Sequence, residues 1–358
     1  MTALLTIIVL VFILIAIWQM VKIFDLAQAK SGGDEIPGVA TDKDNSLNGY
    51  LMMGFLAFIY VITIVSCVKW GDLPLLSNSA SEHGPTIDNL MIISLVIIFF
   101  VQTVTQFLLH YFAFKYKGEK GKQALFFADN NKLEAIWTII PVIVLAGLII
   151  YGLNTWINIM GVDESDDPIV IELYAQQFNW KARYAGADNT LGKANVRLID
   201  IDRANILGLD EADPNAQDDI ITTELHLPKG RPVLFKMRSQ DVLHSAYMPH
   251  FRAQMNCVPG MITQFGFTPT KTTAEMRATQ QMKDKVANIN EIRVENSKEL
   301  IAKGEEALER YEFDYVLICN KICGKSHYNM QMKIVVEEEE EFNAWLKEQK
   351  EFKNSLIN

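Results

Sequence analysis

Cys319-Asn320-Lys321-Ile322-Cys323-Gly324-Lys325-Ser326-His327-Tyr328-Asn329-Met330 sets two thiols, an imidazole and a thioether within twelve residues, as C-x3-C-x3-H-x2-M. All four are soft or borderline donors, a set that favours copper or zinc and serves magnesium or calcium poorly. A thioether as weak axial ligand beside Cys and His is the pattern of copper electron-transfer sites, whereas zinc needs no Met. Gly324 lets the backbone turn closely around an ion. The same residues allow plainer readings. Cys319 and Cys323 can form a disulfide, they can be half of a structural zinc site with His327, and Met330 alone is an ordinary core residue. A fourth strong ligand must come from elsewhere. His244 follows a predicted strand in Asp241-Val242-Leu243-His244-Ser245. His226 alternates with Glu224 on a predicted strand and reads as exposed. His250 follows Pro249 in a loop, and His83 lies in a loop between apolar runs.

Around this segment lie short strand-like runs at 169–175, 178–184, 222–227, 232–237, 262–268, 315–319 and 332–336, bounded by Gly, Pro, Asp and Asn. Such spacing predicts a β-sandwich or barrel with the donors on a loop at one end. An acidic stretch at 207–219 interrupts it. So does a charged segment at 270–310, where Met276, Met282, Val286 and Ile289, then Leu300, Ile301 and Leu308, stand at helical spacing. The second reads as a helical hairpin inserted between two strands, its charge a solvated face. An acidic run at 337–341 leads into a short helix at 342–352.

Upstream, four apolar runs at 3–21, 50–68, 90–114 and 135–157 contain no Lys, Arg, Asp or Glu. A span needs about 20 apolar residues to cross about 30 Å of hydrocarbon, so four transmembrane helices are predicted. The first run also reads as a signal peptide with Ala27-Gln28-Ala29 as an A-x-A-like site, but no Lys or Arg precedes it and it exceeds a typical h-region. Lys22, Lys30 and Lys43 lie in the first connection and Lys115, Lys117, Lys120, Lys122 and Lys132 in the third, against Lys69 alone in the second. The positive-inside rule makes the first and third connections cytoplasmic and both termini external. His110, near the cytoplasmic end of the third run, reads as interfacial, and 163–168 as an acidic linker. The 358 residues average to a mean hydropathy of +0.10 because two unlike halves are mixed. Residues 1–160 carry 9 Lys/Arg and 11 Asp/Glu, and the rest carry 24 and 32. A net charge of −10 argues against nucleic acid, since little would neutralise phosphates. Four Cys in the chain exclude a disulfide-stapled scaffold.

Three strings together resemble cytochrome c oxidase subunit II: Asp241-Val242-Leu243-His244-Ser245, the Cys319–Met330 run, and Leu133-Glu134-Ala135-Ile136-Trp137-Thr138-Ile139-Ile140-Pro141. They stand in that family's order over about residues 88–345. The resemblance implies a transmembrane hairpin (71–160) in a bacterial inner membrane; that family usually has two transmembrane helices, so of the four expected here the first two (1–70) are extra. A periplasmic all-β cupredoxin-like barrel or sandwich (161–345, helical insertion 270–310) and a tail (346–358) follow. It implies a dinuclear copper centre, CuA. His244 and His327 would be terminal ligands, Cys319 and Cys323 bridging thiolates, and Met330 and the Lys321 carbonyl weak ligands to one copper each. Electrons would come from a c-type cytochrome and pass to haem in subunit I, where oxygen is reduced to water and protons are pumped. Other oxidase subunits, and a larger respiratory assembly, would be further partners. Glu134 matches a carboxylate at the mouth of a proton path into subunit I. Asp241 and Asp210 would steer a basic cytochrome.

The departures from the family pattern are specific. Its Q-W-Y-W reads Gln177-Phe178-Asn179-Trp180 here, so Phe178 replaces the Trp that receives the electron, and Trp180 remains. Lys321 and Asn256 stand where the family has a Glu and an Asp that serve a magnesium, and a cation beside Mg²⁺ is unfavourable. No C-x-x-C-H occurs, so no covalent haem is expected. Two rival readings are a quinol oxidase subunit II, whose members have lost the copper ligands, and a membrane-anchored docking or assembly protein with a disulfide or zinc site.

Overall fold

The structure, a computed structural model, describes residues 2–28, 40–71, 79–161 and 167–356. Ala29, Lys30 and most of the expected 163–168 linker lie outside the described residues. Two compact units divide the chain: Met1–Gly71 with Ile97–Asn131, and Asp72–Val96 with Lys132–Asn358.

The first unit holds α1 (Thr2–Gln28), α2 (Asp42–Trp70) and the second half of α3 (Gly84–Lys115). A capping box opens α2: Thr41 Oγ1 accepts from Asp44 N, and the Asp44 carboxylate accepts from Thr41 N, both at 3.2 Å. Buried residues of α2, Gly49 and Leu56, lie on its α3-facing side, where Tyr50 meets Phe114 edge-on and the Tyr60 hydroxyl donates to Thr103 O at 2.7 Å. Such bonds matter in hydrocarbon, where no water can satisfy a polar group. His110 is buried against its neighbours: its Nδ1 lies 2.7 Å from Gln106 O and its ring packs against Phe55. The helices α2, α3 and α4 (Asn131–Met160) are long and apolar enough to cross a membrane. In α1 the described side chains form a shorter apolar stretch, Ile8–Ile23.

The second unit joins the start of α3 and most of α4 to a β-domain of two five-stranded sheets. One runs β3 (Ile220–Thr222), β2 (Asn179–Tyr184), β1 (Ile169–Gln176), β5 (Val233–Ser239), β8 (Thr263–Phe267). The other runs β4 (Leu225–Pro228), β10 (Gln331–Glu337), β9 (Tyr315–Cys319), β6 (His244–Met248), β7 (Ala253–Cys257). Alternate residues of the strands fill the core between them: Ile171, Leu173 and Ala175 from β1, Val233, Phe235 and Met237 from β5, Tyr315 and Leu317 from β9, Ile334 and Val336 from β10. Before α3, Ala80 N donates to His250 O at 2.7 Å and Ser81 Oγ to Phe251 O at 2.6 Å. In the first turns of α3, Asp88 takes both arms of Arg252, at 2.7 and 3.0 Å.

Several elements differ from the sequence reading. The run at 222–227 is two strands in different sheets, because Thr222 Oγ1 turns back to Glu224 O at 2.6 Å. Strands β6 and β7 are too polar to stand out in the sequence. The insertion at 270–310 is a short helix α5 (Thr273–Ala278), a long α6 (Gln280–Ala302) and an extended return rather than two matched helices. Met276 and Met282 anchor it in the core, and Asn290 exchanges two hydrogen bonds with the Tyr311 backbone. The C-terminal helix is split into α7 (Glu339–Glu348) and α8 (Phe352–Ser355). Phe352 of the expected tail is buried with Tyr174, Leu207 and Leu209 against the outer face of β1.

That outer face also carries charge. Register sets Glu172 opposite Arg183; the carboxylate accepts a hydrogen bond from Arg238 Nε and pairs ionically with Arg183 Nε, at 2.7 Å each. Arg183 reaches Asp219 at 3.1 Å, whose Oδ1 is buried with no hydrogen-bond partner. Burial pushes the Asp219 carboxyl up to about 7, and Arg183 offsets only part of it. Since the unfolded value is about 3.9, the folded state binds this proton more tightly. The stabilisation is full below about pH 4 and is lost as pH rises toward 7. Asp219→Asn should therefore flatten the fall in thermal unfolding midpoint over that window by several degrees. Parallel midpoint profiles for the two proteins would refute the assignment.

Candidate metal centre

Strand pairing brings the donors together. Antiparallel β6 and β9 set Ala246 opposite Cys319, which places His244, the first residue of β6, beside the last residue of β9. The chain after Cys319 closes on itself: Cys319 N donates to Met330 O at 3.0 Å, and Asn320 N to Ser245 O at 3.0 Å. Inside this ring, Gly324 takes a φ of +141°, a conformation side chains disfavour, and His327–Asn329 makes one 3-10 turn. Polar sequence spacing thus becomes a closed loop whose ends are fixed by a sheet.

The result is two matched halves. Cys319 Sγ lies 3.8 Å from His244 Nδ1 and 3.2 Å from Lys321 O. Cys323 Sγ lies 3.5 Å from His327 Nδ1 and 3.8 Å from Met330 Sδ. The sulfurs are 3.9 Å apart, both free thiols, well beyond the roughly 2.05 Å of a disulfide. His244, Cys319, Cys323 and Met330 are buried. Among the described residues, the donor atoms of His244, Cys319 and Cys323 lie within 4.8 Å of one another, close enough to hold a metal ion.

The surroundings orient the donors. His244 Nε2 faces Asp241 Oδ1 at 2.8 Å, which leaves Nδ1 as the lone-pair side toward the thiol. Burial alone would raise the Asp241 carboxyl; bonds from Gln177 N, His244 and Val242 N outweigh it and hold it below the usual carboxylate range. Trp180 is buried, edge-on to His244 with ring centroids 6.2 Å apart, and its Nε1 lies 3.5 Å from Met330 O. Phe178 is half-buried, against Gly324.

Of the six histidines, only His244 and His327 join the thiols. His226 is buried, not exposed: the C-terminal helix lays Trp345 flat on its ring at 3.8 Å, and Glu337 sits 3.2 Å from Nδ1. His250 lies between the edges of Phe313 and Tyr315, and burial, with help from Lys285 and Arg252, lowers it to about 4. His83 packs against Phe265 and Phe267. Glu134 is exposed in the first turn of α4, and Asp241 has both oxygens occupied near the centre. Sequence reasoning missed Gln177, whose side chain meets the donor loop, because its partner lies 146 residues away.

Residues 68–155 match the family model described as cytochrome c oxidase subunit II, transmembrane domain. The chain is 32% identical over 268 residues to the alternative cytochrome c oxidase subunit 2 of Bradyrhizobium diazoefficiens, covering 74% of this chain and 81% of that protein. It is 24% identical over 310 residues to the cytochrome c oxidase subunit 2 of Thermostichus vulcanus, covering 80% and 81%. Among solved structures, the periplasmic domain of subunit II of cytochrome oxidase of Bradyrhizobium japonicum aligns with 50% of this chain and 91% of its own, at 19% identity and a TM-score of 0.28.

Burial, and then the neighbouring Cys319 thiol, push the Cys323 thiol up to about 11. At neutral pH the thiol therefore holds its proton, and a bound metal must displace it. Copper uptake in weakly buffered solution at pH 7.5 should release protons, about one fewer in Cys323→Ser. Equal release from both proteins would remove Cys323 from the donor set.

Proposed function

This chain belongs to the cytochrome c oxidase subunit II family, and from that premise we propose that it is the electron-accepting subunit of a haem–copper oxidase, with a dinuclear copper centre held by His244, Cys319, Cys323, His327, Met330 and the Lys321 carbonyl. The observation that carries this reading is the twofold repetition of one thiol, one imidazole and one weak donor about a pair of sulfurs 3.9 Å apart. One tetrahedral zinc takes four donors; this set supplies six, and its thioether suits copper. When bound, a copper pair held by these residues would supply a one-electron carrier.

The chain's own residues make such a carrier fast. Strands β6 and β9 fix His244 and Cys319, so little can move when charge changes. Asp241 fixes the His244 ring and its tautomer, which favours a positioning role for Asp241 over cytochrome docking. Buried Met330 and Trp180 keep water from the sulfurs. Electrons from a c-type cytochrome arrive on the Phe178 side, where an aromatic edge reaches the surface and buried Trp180 lies behind it against His244. They leave toward haem in subunit I, where oxygen becomes water and protons are pumped. Glu134, at the cytoplasmic start of α4 under the positive-inside reading, serves the proton path. Lys321 and Asn256 weigh against a magnesium beside the centre. We further propose four spans in a bacterial inner membrane, with both termini and the β-domain in the periplasm, and contacts of 1–70 and 270–310 with other subunits of a larger assembly.

The test is spectroscopic. Copper-loaded protein should be purple, with near-infrared absorption and a seven-line mixed-valence EPR spectrum, and Cys323→Ser should abolish that signal. A colourless protein holding one zinc would sink this reading, and a blue four-line spectrum would leave one copper rather than two. A quinol oxidase subunit of the kind without copper ligands would show no copper signal at all.

A further inference from the structure

The donors come from two separate stretches of chain, the start of β6 and the loop 319–330. Gln177 belongs to neither, yet it bonds the loop directly and His244 through Asp241. Gln177 sits in the turn between β1 and β2, on the other sheet. Its main-chain N–H donates to Asp241 Oδ2 at 2.8 Å, and the other oxygen of that carboxylate holds His244 Nε2 at 2.8 Å. Its side-chain Nε2 donates to the Cys323 carbonyl at 2.5 Å. The backbone of the loop is shaped to this contact. A Cβ on Gly324 would stand 2.9 Å from Gln177 Nε2 and 3.0 Å from Phe178 Cε1, so the loop lies on the turn with no space between.

We propose that Gln177 is a positioning residue: a staple that ties the Cys323 half of the centre to the His244 half across the two sheets and so holds the thiols at their separation. The bond itself is a property of the metal-free chain. Its consequence for copper rests on the two-copper reading above. Strand pairing fixes Cys319, but Cys323 lies four residues beyond the end of β9, in a loop with no sheet partner. Its carbonyl is therefore the point where one added bond removes most freedom. The bond needs an N–H donor at this length, which the Gln amide supplies. Glu has the same length but turns an oxygen toward a carbonyl oxygen. Ala keeps the main-chain bond to Asp241 and deletes only the staple.

The experiment uses the full-length protein with Gln177→Ala and Gln177→Glu. In the metal-free form, amide hydrogen exchange in peptides covering 320–326 should quicken about tenfold in both variants, while exchange in β1 and β5 stays unchanged. In the copper-loaded form, loss of copper to a chelator should quicken about tenfold, the scale on which groups behind a metal ligand act, and the EPR hyperfine pattern should change. Parent-like exchange and copper retention in both variants would overturn the staple. So would a Glu variant that behaves as the parent while Ala does not, since the residue would then only fill space. If the parent itself takes up no copper pair, the functional reading falls, and the exchange rates still decide the staple.

Discussion

Two unbonded thiols held 3.9 Å apart in a protein interior set the constraint that the rest of this β-domain has to meet. Nothing in the pair favours that distance. As thiols they gain little from each other, and as thiolates they would repel strongly away from water. Their spacing must therefore be imposed from outside. The β6–β9 ladder fixes one sulfur and the ring closed by Cys319 N and Met330 O limits the other; under the proposed reading, a copper pair would supply the charge that makes both thiolates tolerable. Burial first, and then the Cys319 thiol, raise the Cys323 thiol, the same conflict seen from one side.

Rigidity of that order needs support on both sides of each sheet. The inner faces meet in one continuous core. The outer face of β1 is covered as well, by the excursion through Leu207 and Leu209 and by Phe352 from the end of the chain. On the other sheet, Tyr184 from β2 crosses the core and bonds both the N–H and the carbonyl of His226, at 2.7 and 2.9 Å. The sheets are thus joined by hydrogen bonds as well as by contact. At the membrane side, the Asp88–Arg252 pair and the bonds from Ala80 and Ser81 fasten the start of α3 to the β6–β7 hairpin. His244 lies on that hairpin, so the element that bears a donor is also the one tied to the helix.

What could be read from the sequence follows from how local each interaction is. Five of the six proposed donors fall in twelve residues, because one loop can wrap an ion only if its donors are close in sequence. Apolar spans are legible for the same reason. Contacts made across the fold are not. His226 looked exposed because Trp345, which covers it, comes from a helix more than a hundred residues later. Asp241 is an exposed acid, and its contact with the His244 ring three residues on forms only because the chain turns into β6 between them. Strands β6 and β7 escaped because they carry polar residues such as Ser245, Gln254 and Asn256, and their place in the sheet comes from pairing rather than propensity.

The use of a main-chain donor at Lys321 has a separate consequence. The carbonyl of Lys321 sits 3.2 Å from Cys319 Sγ whatever side chain the residue bears, because the loop backbone, not the side chain, sets its place. Its side chain is exposed, next to Ile322, which is 89% exposed. The donor and the surface charge at this position are therefore independent. A chain can exchange an acid for a lysine here, reversing the field it presents to whatever packs on the loop, without moving an atom of the donor set. Positions such as His244 or Cys323 have no such freedom, since the donor atom is the side chain itself. The backbone geometry at Lys321 is thus kept by the loop while the charge on its outer face is free to differ.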